Sequence, residues 1–396
     1  MFLEFFIWGA WFVTMGSYLT GSLGFSGAES AMAYSTQSWG AIIAPFIVGL
    51  IADKYVNAER LLGAIHLVGA ALMYLLADAA RFEGFYPYVL VYMILYMPTL
   101  ALVNAIAFRQ MDDPARHFSN IRVWGTVGWI VAGLLISYVF SWDSQAGLAA
   151  GLLRNTFLMG SVASLALGLY SFTLPRTPPQ RGGEAAGLRE LLGLDALALL
   201  RDRNFLVFFG ASILICIPLA FYYQHANQFL TEIQVANATG KQTVGQMSEV
   251  LFMLLVPFFL KRFGMKGTLL IGMLAWAARY VLFAYGNAGD LVFMLMIGIA
   301  LHGVCYDFFF VSGQVFTDSK AGPRNKSAAQ GLITLATYGL GMLIGFSVAG
   351  QLTDSFAIEG GHAWRSIWLY PAAFAAVVAA LFAWLFRNEV IDYRKP

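Results

Sequence analysis

Charged residues are scarce in this sequence of 396 residues. Lys, Arg, Asp and Glu make up 12% of it, against roughly 25% in an average soluble domain. The formal net charge is only +2, and no basic block is present that could neutralise a row of phosphates, so we expect no binding to nucleic acid. A soluble enzyme is disfavoured as well, because a soluble fold of this length cannot bury so large a share of apolar residues.

Catalytic and metal-binding motifs are also missing. The two cysteines, Cys216 and Cys305, lie in apolar runs and form neither a CxxC motif nor a zinc-ligand spacing. The sequence contains no HExxH motif, no G-x-S-x-G elbow and no P-loop. We therefore predict that the protein is not an enzyme, holds no metal or other cofactor, and depends on an ion gradient rather than on ATP.

Hydrophobic residues, in contrast, make up 59% of the sequence, which indicates that a bilayer is its solvent. A membrane-spanning helix with a short loop takes about 30–35 residues, so the chain has room for about twelve. Apolar runs of that kind lie near residues 2–22, 32–52, 61–78, 86–108, 121–141, 152–175, 204–229, 243–260, 267–285, 290–316, 327–352 and 365–386. They are too long for the strands of a transmembrane barrel, so the predicted fold class is an all-α membrane protein with twelve transmembrane helices.

Lys and Arg in the loops give these helices an orientation. With the N-terminus in the cytoplasm, 18 of them fall in inner loops and four in outer loops, and this positive-inside bias predicts that both termini are cytoplasmic. The longest inner connection, 176–203, begins with Pro and Gly and continues as an amphipathic stretch. We interpret it as a cytoplasmic linker with a short surface helix, which separates a six-helix bundle in 1–175 from a second one in 204–396.

A short loop after the second predicted helix carries a recognisable pattern. Two six-helix halves related by an axis along the membrane normal describe the major facilitator architecture. The segment Gly49-Leu-Ile-Ala-Asp53-Lys54 resembles the G-x-x-x-D-R/K loop signature of that superfamily, although Val56 replaces a later glycine. The resemblance predicts a gating role for Asp53 and Lys54; plain positive-inside anchoring is the alternative.

Two acidic residues lie deep in predicted helices, where a charge costs at least ~2.5–3.5 kcal/mol. Glu249 follows Gln246 by three residues, so the two share one helix face and can hydrogen-bond hydroxyl groups or base edges. Asp307 follows Tyr306, which shares a face with His302 four residues earlier. The expected partners of Asp307 are Arg279 or a network on the cytoplasmic side, and a structural role remains open for both acids.

Other polar side chains occur in apolar surroundings. Arg122, Thr126 and Trp129 form one stripe on the fifth predicted helix, and Gln224 and Asn227 share a face of the seventh. For Arg122, anchoring to lipid headgroups is the alternative to a role in binding. Near the inner end of the first helix we expect Glu4 to reach water, and we interpret His66 as a residue of helix packing.

Several uncommon strings in this order resemble the bacterial nucleoside permeases of the nucleoside:proton symporter family, within the major facilitator superfamily. The resemblance covers nearly the whole chain and includes Trp8-Gly-Ala-Trp11, Ala52-Asp-Lys54, Tyr96-Met-Pro-Thr-Leu100, Ile121-Arg-Val-Trp-Gly-Thr126, Leu192-Gly-Leu-Asp-Ala196, Gln246-Met-Ser-Glu249, Tyr306-Asp-Phe-Phe309 and Ala329-Gln-Gly331.

This resemblance implies a substrate cavity between the halves and import of nucleosides with protons by alternating access. It places the nucleoside contacts on Arg122, Thr126, Trp129, Gln224, Asn227, Gln246, Glu249, His302, Tyr306 and Asp307. The implied proton carrier is Glu249 or Asp307. Three positions depart from the family pattern, which usually has Phe at Trp129, Phe at Tyr306 and Tyr at His302, and these departures leave the preferred base open.

The resemblance also implies a monomer in the bacterial inner membrane, with the lipid bilayer, a nucleoside and the proton as partners. The chemistry of the residues alone leaves alternatives. A proton-coupled symporter of sugars or polyols with the same fold fits almost as well. A nucleoside receptor that does not transport is a third reading.

Overall fold

The computed structural model describes residues 1–47, 51, 55–179, 194–322 and 326–389. Asp53 and Lys54, the predicted gating residues, and most of the predicted linker lie outside these ranges. The main helices are α1 Phe2–Trp11, α2 Gly27–Ile47, α3 Ala58–Asp78, α4 Phe82–Arg109, α5 Pro114–Leu134, α6 Arg154–Ser171, α7 Arg203–Glu232, α8 Ala238–Tyr285, α9 Val292–Tyr306, α10 Ser312–Ala321, α11 Lys326–Thr334, α12 Met342–Ser355 and α13 Trp364–Leu385.

Within the described ranges, nine helical stretches are long and apolar enough to cross a membrane. One of them, α8, has 48 residues and is broken at Gly264, whose φ of 67° and ψ of 180° are not helical. This left-handed φ suits glycine, because a Cβ atom would clash with the backbone there. Helices α2 and α6 fall on predicted spans but are not among these nine. A nearly all-helical membrane architecture is confirmed, and the count of twelve spans stays a prediction.

Short irregular elements interrupt these helices. Turns of π-helix occupy Tyr18–Ser22, Leu135–Val139, Asp307–Val311 and Leu335–Gly341, and such turns are frequent at functional sites. Ala357–Ile358 and Gly361–His362 form a small antiparallel hairpin, the only β-structure among the described residues. At the end of the predicted linker, Leu194–Arg201 is a 3-10 helix.

The chain forms two compact units, Met1–Gly187 with Ala236–Thr243, and Leu188–Val235 with Val244–Pro396. The sequence reading assigned 236–243 to the second bundle. The segment packs in the first unit because Asp143 accepts a hydrogen bond from the amide of Thr239 at 2.9 Å, and Ser137 accepts one from the amide of Gly240 at 2.7 Å.

Glycines allow close helix contacts inside each unit. In the first unit, a Cβ atom on Gly9 of α1 would lie 3.0 Å from the Cα atom of Trp129 on α5, and one on Gly168 of α6 would lie 3.0 Å from the amide of Leu67 on α3. In the second unit, Gly345 of α12 faces the backbone of Ile217 on α7 in the same way. Small residues at helix crossings are typical of membrane bundles.

Candidate functional site

A contact between α8 and α9 organises the polar residues of the second unit. Gly303 packs so closely on α8 that a Cβ atom there would lie 2.6 Å from the carbonyl carbon of Ser248. Its amide donates a hydrogen bond to the Ser248 hydroxyl at 3.1 Å. This contact places Glu249 beside His302, with Oε2 3.8 Å from Nε2, while 18% of the Glu249 side chain remains exposed.

Arg279 holds His302 from the opposite side. The guanidinium is fully buried, donates from Nε to the carbonyl of Gly298 at 3.0 Å, and lies with Nη1 3.3 Å from Nδ1 of His302. Because arginine only donates hydrogen bonds, Nδ1 of His302 must accept. The ring is therefore neutral with its proton on Nε2, the nitrogen that faces Glu249.

Aromatic rings continue this arrangement. Tyr222 of α7 stacks on His302 with centroids 5.3 Å apart, and its ring also lies 3.7 Å from the guanidinium carbon of Arg279, a cation–π contact that compensates a buried charge. Tyr306 lies 5.7 Å from His302 on the same helix face, as the sequence predicts. Its hydroxyl is 2.8 Å from that of Tyr338.

Asp307 begins the π-helical turn that follows Tyr306. Its side chain is fully buried, and neither carboxyl oxygen has a hydrogen-bond partner among the residues that the structure describes. Of the two partners expected for Asp307, Arg279 does not pair with it: the guanidinium contacts Gly298 and His302, and its Nη2 atom has no hydrogen-bond partner among the described residues. Asp307 is thus the least satisfied polar group of this region.

The remaining predicted contacts of the second unit are less sharply defined. Gln224 and Asn227 are buried on α7, and Gln246 is half-buried on α8, one turn before Glu249. Between the two α7 residues, His225 has a structural role: its ring nitrogens contact Gln228 at 3.0 Å and Thr353 at 2.9 Å.

In the first unit, the predicted stripe of α5 packs on α1. The guanidinium carbon of Arg122 lies 4.2 Å above the ring centroid of Phe5, and the ring of Trp129 meets that of Trp8 edge-on at 5.5 Å. Thr126 is half-buried between them along the helix. Arg122 is therefore held by an aromatic ring of the protein, in addition to any contact with lipid headgroups.

A buried polar network in the first unit was not predicted from the sequence. Glu4 is fully buried, contrary to the expectation that it reaches water. Its Oε2 atom lies 2.9 Å from Nε2 of His66, and its Oε1 atom accepts a hydrogen bond from Thr99 at 2.5 Å. The Nδ1 atom of His66 lies 3.0 Å from the hydroxyl of Ser164. A lone carboxylate and a lone imidazole in separate apolar helices were the available signal, since each needs a partner in a membrane.

Comparison with known proteins finds relatives that are similar to this chain over nearly its whole length. The family model described as nucleoside H⁺ symporter matches residues 1–390. A protein of Escherichia coli (strain K12) with the name "Putative nucleoside transporter YegT" is 44% identical over 98% of this chain and 92% of its own length. The xanthosine permease of the same strain is 35% identical over 98% of this chain and 94% of its own length.

A solved structure extends the similarity to the fold. The crystal structure of the nucleoside transporter NupG superposes with a TM-score of 0.88 at 31% identity, over 98% of this chain and 97% of that one. The superposition covers nearly the whole of both chains. The shared architecture is the major facilitator fold that the sequence predicts.

Proposed function

The chain belongs to the nucleoside H⁺ symporter family, and from this premise we propose that it imports nucleosides across the bacterial inner membrane together with protons. The observation that supports the proposal most directly is the Glu249–His302 contact. It places a partly exposed carboxylate beside the stacked, buried rings of His302 and Tyr222. It lies in helices that cross a membrane, where such polar groups are expensive without a function.

The chemistry of a nucleoside suits these groups. A nucleoside is neutral, with a flat base and a ribose that carries hydroxyls. The exposed part of Glu249 can accept hydrogen bonds from ribose, and Gln246 can donate and accept them. Rings such as Tyr306 and Trp129 can stack on the base, a contact worth ~1–3 kcal/mol in single-stranded nucleic-acid sites. Arg122, Thr126, Gln224 and Asn227 stay predicted nucleoside contacts.

The two acids of the second unit suit different tasks. Glu249 has a donor, the Nε2–H of His302, on one side and an exposed surface on the other, so we assign it to the substrate. Asp307 is buried without a hydrogen-bond partner among the described residues, and a bound proton would remove the cost of that unpaired charge. We assign the coupling proton of this unit to Asp307.

For the oligomeric state, the orientation of the termini and the cofactor, we propose what the sequence predicts. The protein works as a monomer with both termini in the cytoplasm, and it needs no cofactor beyond the coupling proton. It catalyses no chemical reaction on the nucleoside.

Uptake into proteoliposomes tests the proposal. With purified protein and an inward proton gradient, uridine or adenosine should accumulate above the external concentration, and a protonophore should abolish the accumulation. Free ribose in excess should compete poorly, whereas effective competition by ribose would favour the sugar symporter. Binding of nucleoside without counterflow exchange would identify a receptor instead, and no uptake of either nucleoside would refute the proposal.

A further inference from the structure

The network around Glu4 and His66 forms a closed set of hydrogen bonds across four helices. Glu4 lies on α1, His66 on α3, Thr99 on α4 and Ser164 on α6, and none of the four side chains is measurably open to solvent. The hydroxyl of Tyr96 donates to the backbone carbonyl of Glu4 at 2.6 Å. Buried ionisable groups in a transporter are candidates for ion pathways, and the mechanism above does not use these.

Because the hydroxyl of Ser164 can donate in either of two directions, the network can exist in two states that differ by one proton. Its hydroxyl lies 3.0 Å from Nδ1 of His66 and 3.0 Å from the backbone carbonyl of the same residue. When it donates to the carbonyl, its oxygen accepts from Nδ1–H, and one further proton lies between Nε2 and Glu4. When it donates to Nδ1, the neutral ring donates from Nε2–H to the ionised Glu4. One proton thus enters or leaves while both ring nitrogens of His66 keep a hydrogen-bond partner, and only the bond from Ser164 to the His66 carbonyl is given up.

The charge of the pair changes from zero to minus one when that proton leaves. Few charged or titratable groups of the described residues lie near it: the amino group of Met1, just before α1, and the hydroxyls of Tyr92 and Tyr96 on α4. Arg122 of α5 contacts Phe5 and acts on the Met1 amino group. On α6 the facing group is the Ser164 hydroxyl, which does not titrate. Among these groups of the described residues, only the Met1 amino group can itself bind or release a proton near neutral pH.

Helix α1 connects this pair to the predicted nucleoside contacts. Glu4 faces α3, while Phe5 and Trp8, one and four residues later, pack on Arg122 and Trp129 of α5. A change of charge at Glu4 acts on a helix that α5 contacts closely at Gly9. Proton occupancy and the position of the α5 stripe therefore depend on the same short helix.

We propose that Glu4 and His66 form a second proton-binding site of the transporter, with Ser164 as the switchable donor, and that it couples one proton to nucleoside uptake through α1. The proposal rests on the proposed function and deepens it. It is separate from Asp307, which lies in the other unit.

The limiting accumulation ratio counts the coupled protons. With the membrane potential clamped at zero, each proton that moves with the nucleoside multiplies this ratio about tenfold per unit of pH gradient, because one pH unit is a factor of ten in proton activity. We expect Glu4→Gln, His66→Gln and Ser164→Ala to lower the slope of log accumulation against the pH gradient by one, while nucleoside counterflow without a gradient continues.

Ser161→Ala is the matched control. Ser161 lies on the same helix one turn earlier and donates only to the carbonyl of Ala70 at 2.7 Å, so its loss should leave the slope unchanged. An unchanged slope in Glu4→Gln overturns the proposal. So does loss of counterflow in all three variants, which is the signature of a purely structural network. Failure of the wild-type protein to accumulate nucleoside under any gradient would instead refute the proposed function.

Discussion

Nε2 of His302 faces Oε2 of Glu249 at 3.8 Å, and this relationship depends on a third residue. Arg279 donates to Nδ1 from the other side of the ring, which fixes the tautomer that presents an N–H to the carboxylate. The guanidinium is fully buried behind the histidine ring. Arg279 orients His302, and His302 in turn orients Glu249. In metal sites, groups behind the ligands orient those ligands in the same way.

Replacement of Arg279 by Met should therefore weaken nucleoside binding although Arg279 is a positioning residue. Without the donor to Nδ1, His302 can flip or change tautomer, and Glu249 loses its partner. Loss of a hydrogen bond to a charged group corresponds to about 1.5 kcal/mol, or roughly tenfold in Kd. Isothermal titration calorimetry with uridine would measure it.

The neighbouring variant Tyr280→Phe controls for general damage to α8. The Tyr280 hydroxyl donates its hydrogen bond to the carbonyl of Pro218 on α7 at 2.5 Å. Its removal should lower thermal stability with little change in Kd. Equal losses of affinity in both variants would contradict the positioning role of Arg279.

A pair of isosteric variants should distinguish the roles of Glu249 and Asp307, the two acids of the second unit. Asp307→Asn should keep counterflow exchange and lose gradient-driven accumulation, because the amide cannot carry a proton. Glu249→Gln should raise the nucleoside concentration needed for half-maximal counterflow, because the amide accepts fewer hydrogen bonds from ribose. The opposite pattern would exchange the two roles.

The sequence predicted the helices well because their signal is local. Apolar runs long enough to span a membrane coincide with the observed helices, and helical spacing alone brings His302 and Tyr306 together. The Arg279–His302 contact was not predictable in this way. It depends on the close packing of α9 on two other helices, which a single sequence does not specify.

The same limit explains the misreading of Glu4. A carboxylate near a helix end ordinarily reaches water by extending toward the interface. Glu4 does not, because His66 and Thr99 approach it from helices that lie far away in sequence. Residue type alone indicated that each of these groups needed a partner; only the fold supplied its identity.

Trp129 offers a test of base stacking in the first unit. We expect Trp129→Ala to weaken nucleoside binding by ~1–3 kcal/mol, the range for loss of an aromatic platform under a base. Trp129→Phe keeps an aromatic ring at this position and should retain most of the affinity. The ratio of Kd values for adenosine and uridine, measured in wild type and Trp129→Phe, would also show whether the larger indole sets base preference.

The acid stability of the protein should depend on Asp202, which caps the N-terminus of α7. Partial burial of Asp202 favours its neutral form, but hydrogen bonds from the amide of Phe205 at 2.8 Å and from Lys320 at 3.1 Å outweigh burial and lower the pKa of the carboxyl. A lowered folded pKa stabilises the protein above the unfolded value of ~3.9, and this contribution disappears as the pH falls through the folded pKa.

Thermal unfolding in detergent between pH 7 and pH 3 would check this dependence. Asp202→Asn keeps a capping oxygen but cannot titrate, so its unfolding temperature should fall less steeply in acid than that of the wild type. Asp202→Ala should be less stable than the wild type at neutral pH by about 1 kcal/mol, the usual cost of losing such a cap. Parallel pH profiles for wild type and Asp202→Asn would show that other groups govern acid stability.

Gly303 should be the most sensitive glycine of the candidate site. A methyl group there would lie 2.6 Å from the carbonyl carbon of Ser248 and 2.7 Å from the amide of Glu249, so α8 and α9 must separate to accommodate it. Overpacking of this kind costs about 1–3 kcal/mol, and the separation should also weaken nucleoside binding by moving Glu249 away from His302. Gly331→Ala is the control, because an added Cβ on that exposed helical glycine meets no atom within 4 Å and should raise stability slightly through helix propensity. Thermal unfolding and uridine titration of both variants would measure the contrast, and a Gly303→Ala protein with wild-type affinity would show that the binding site does not require this helix contact.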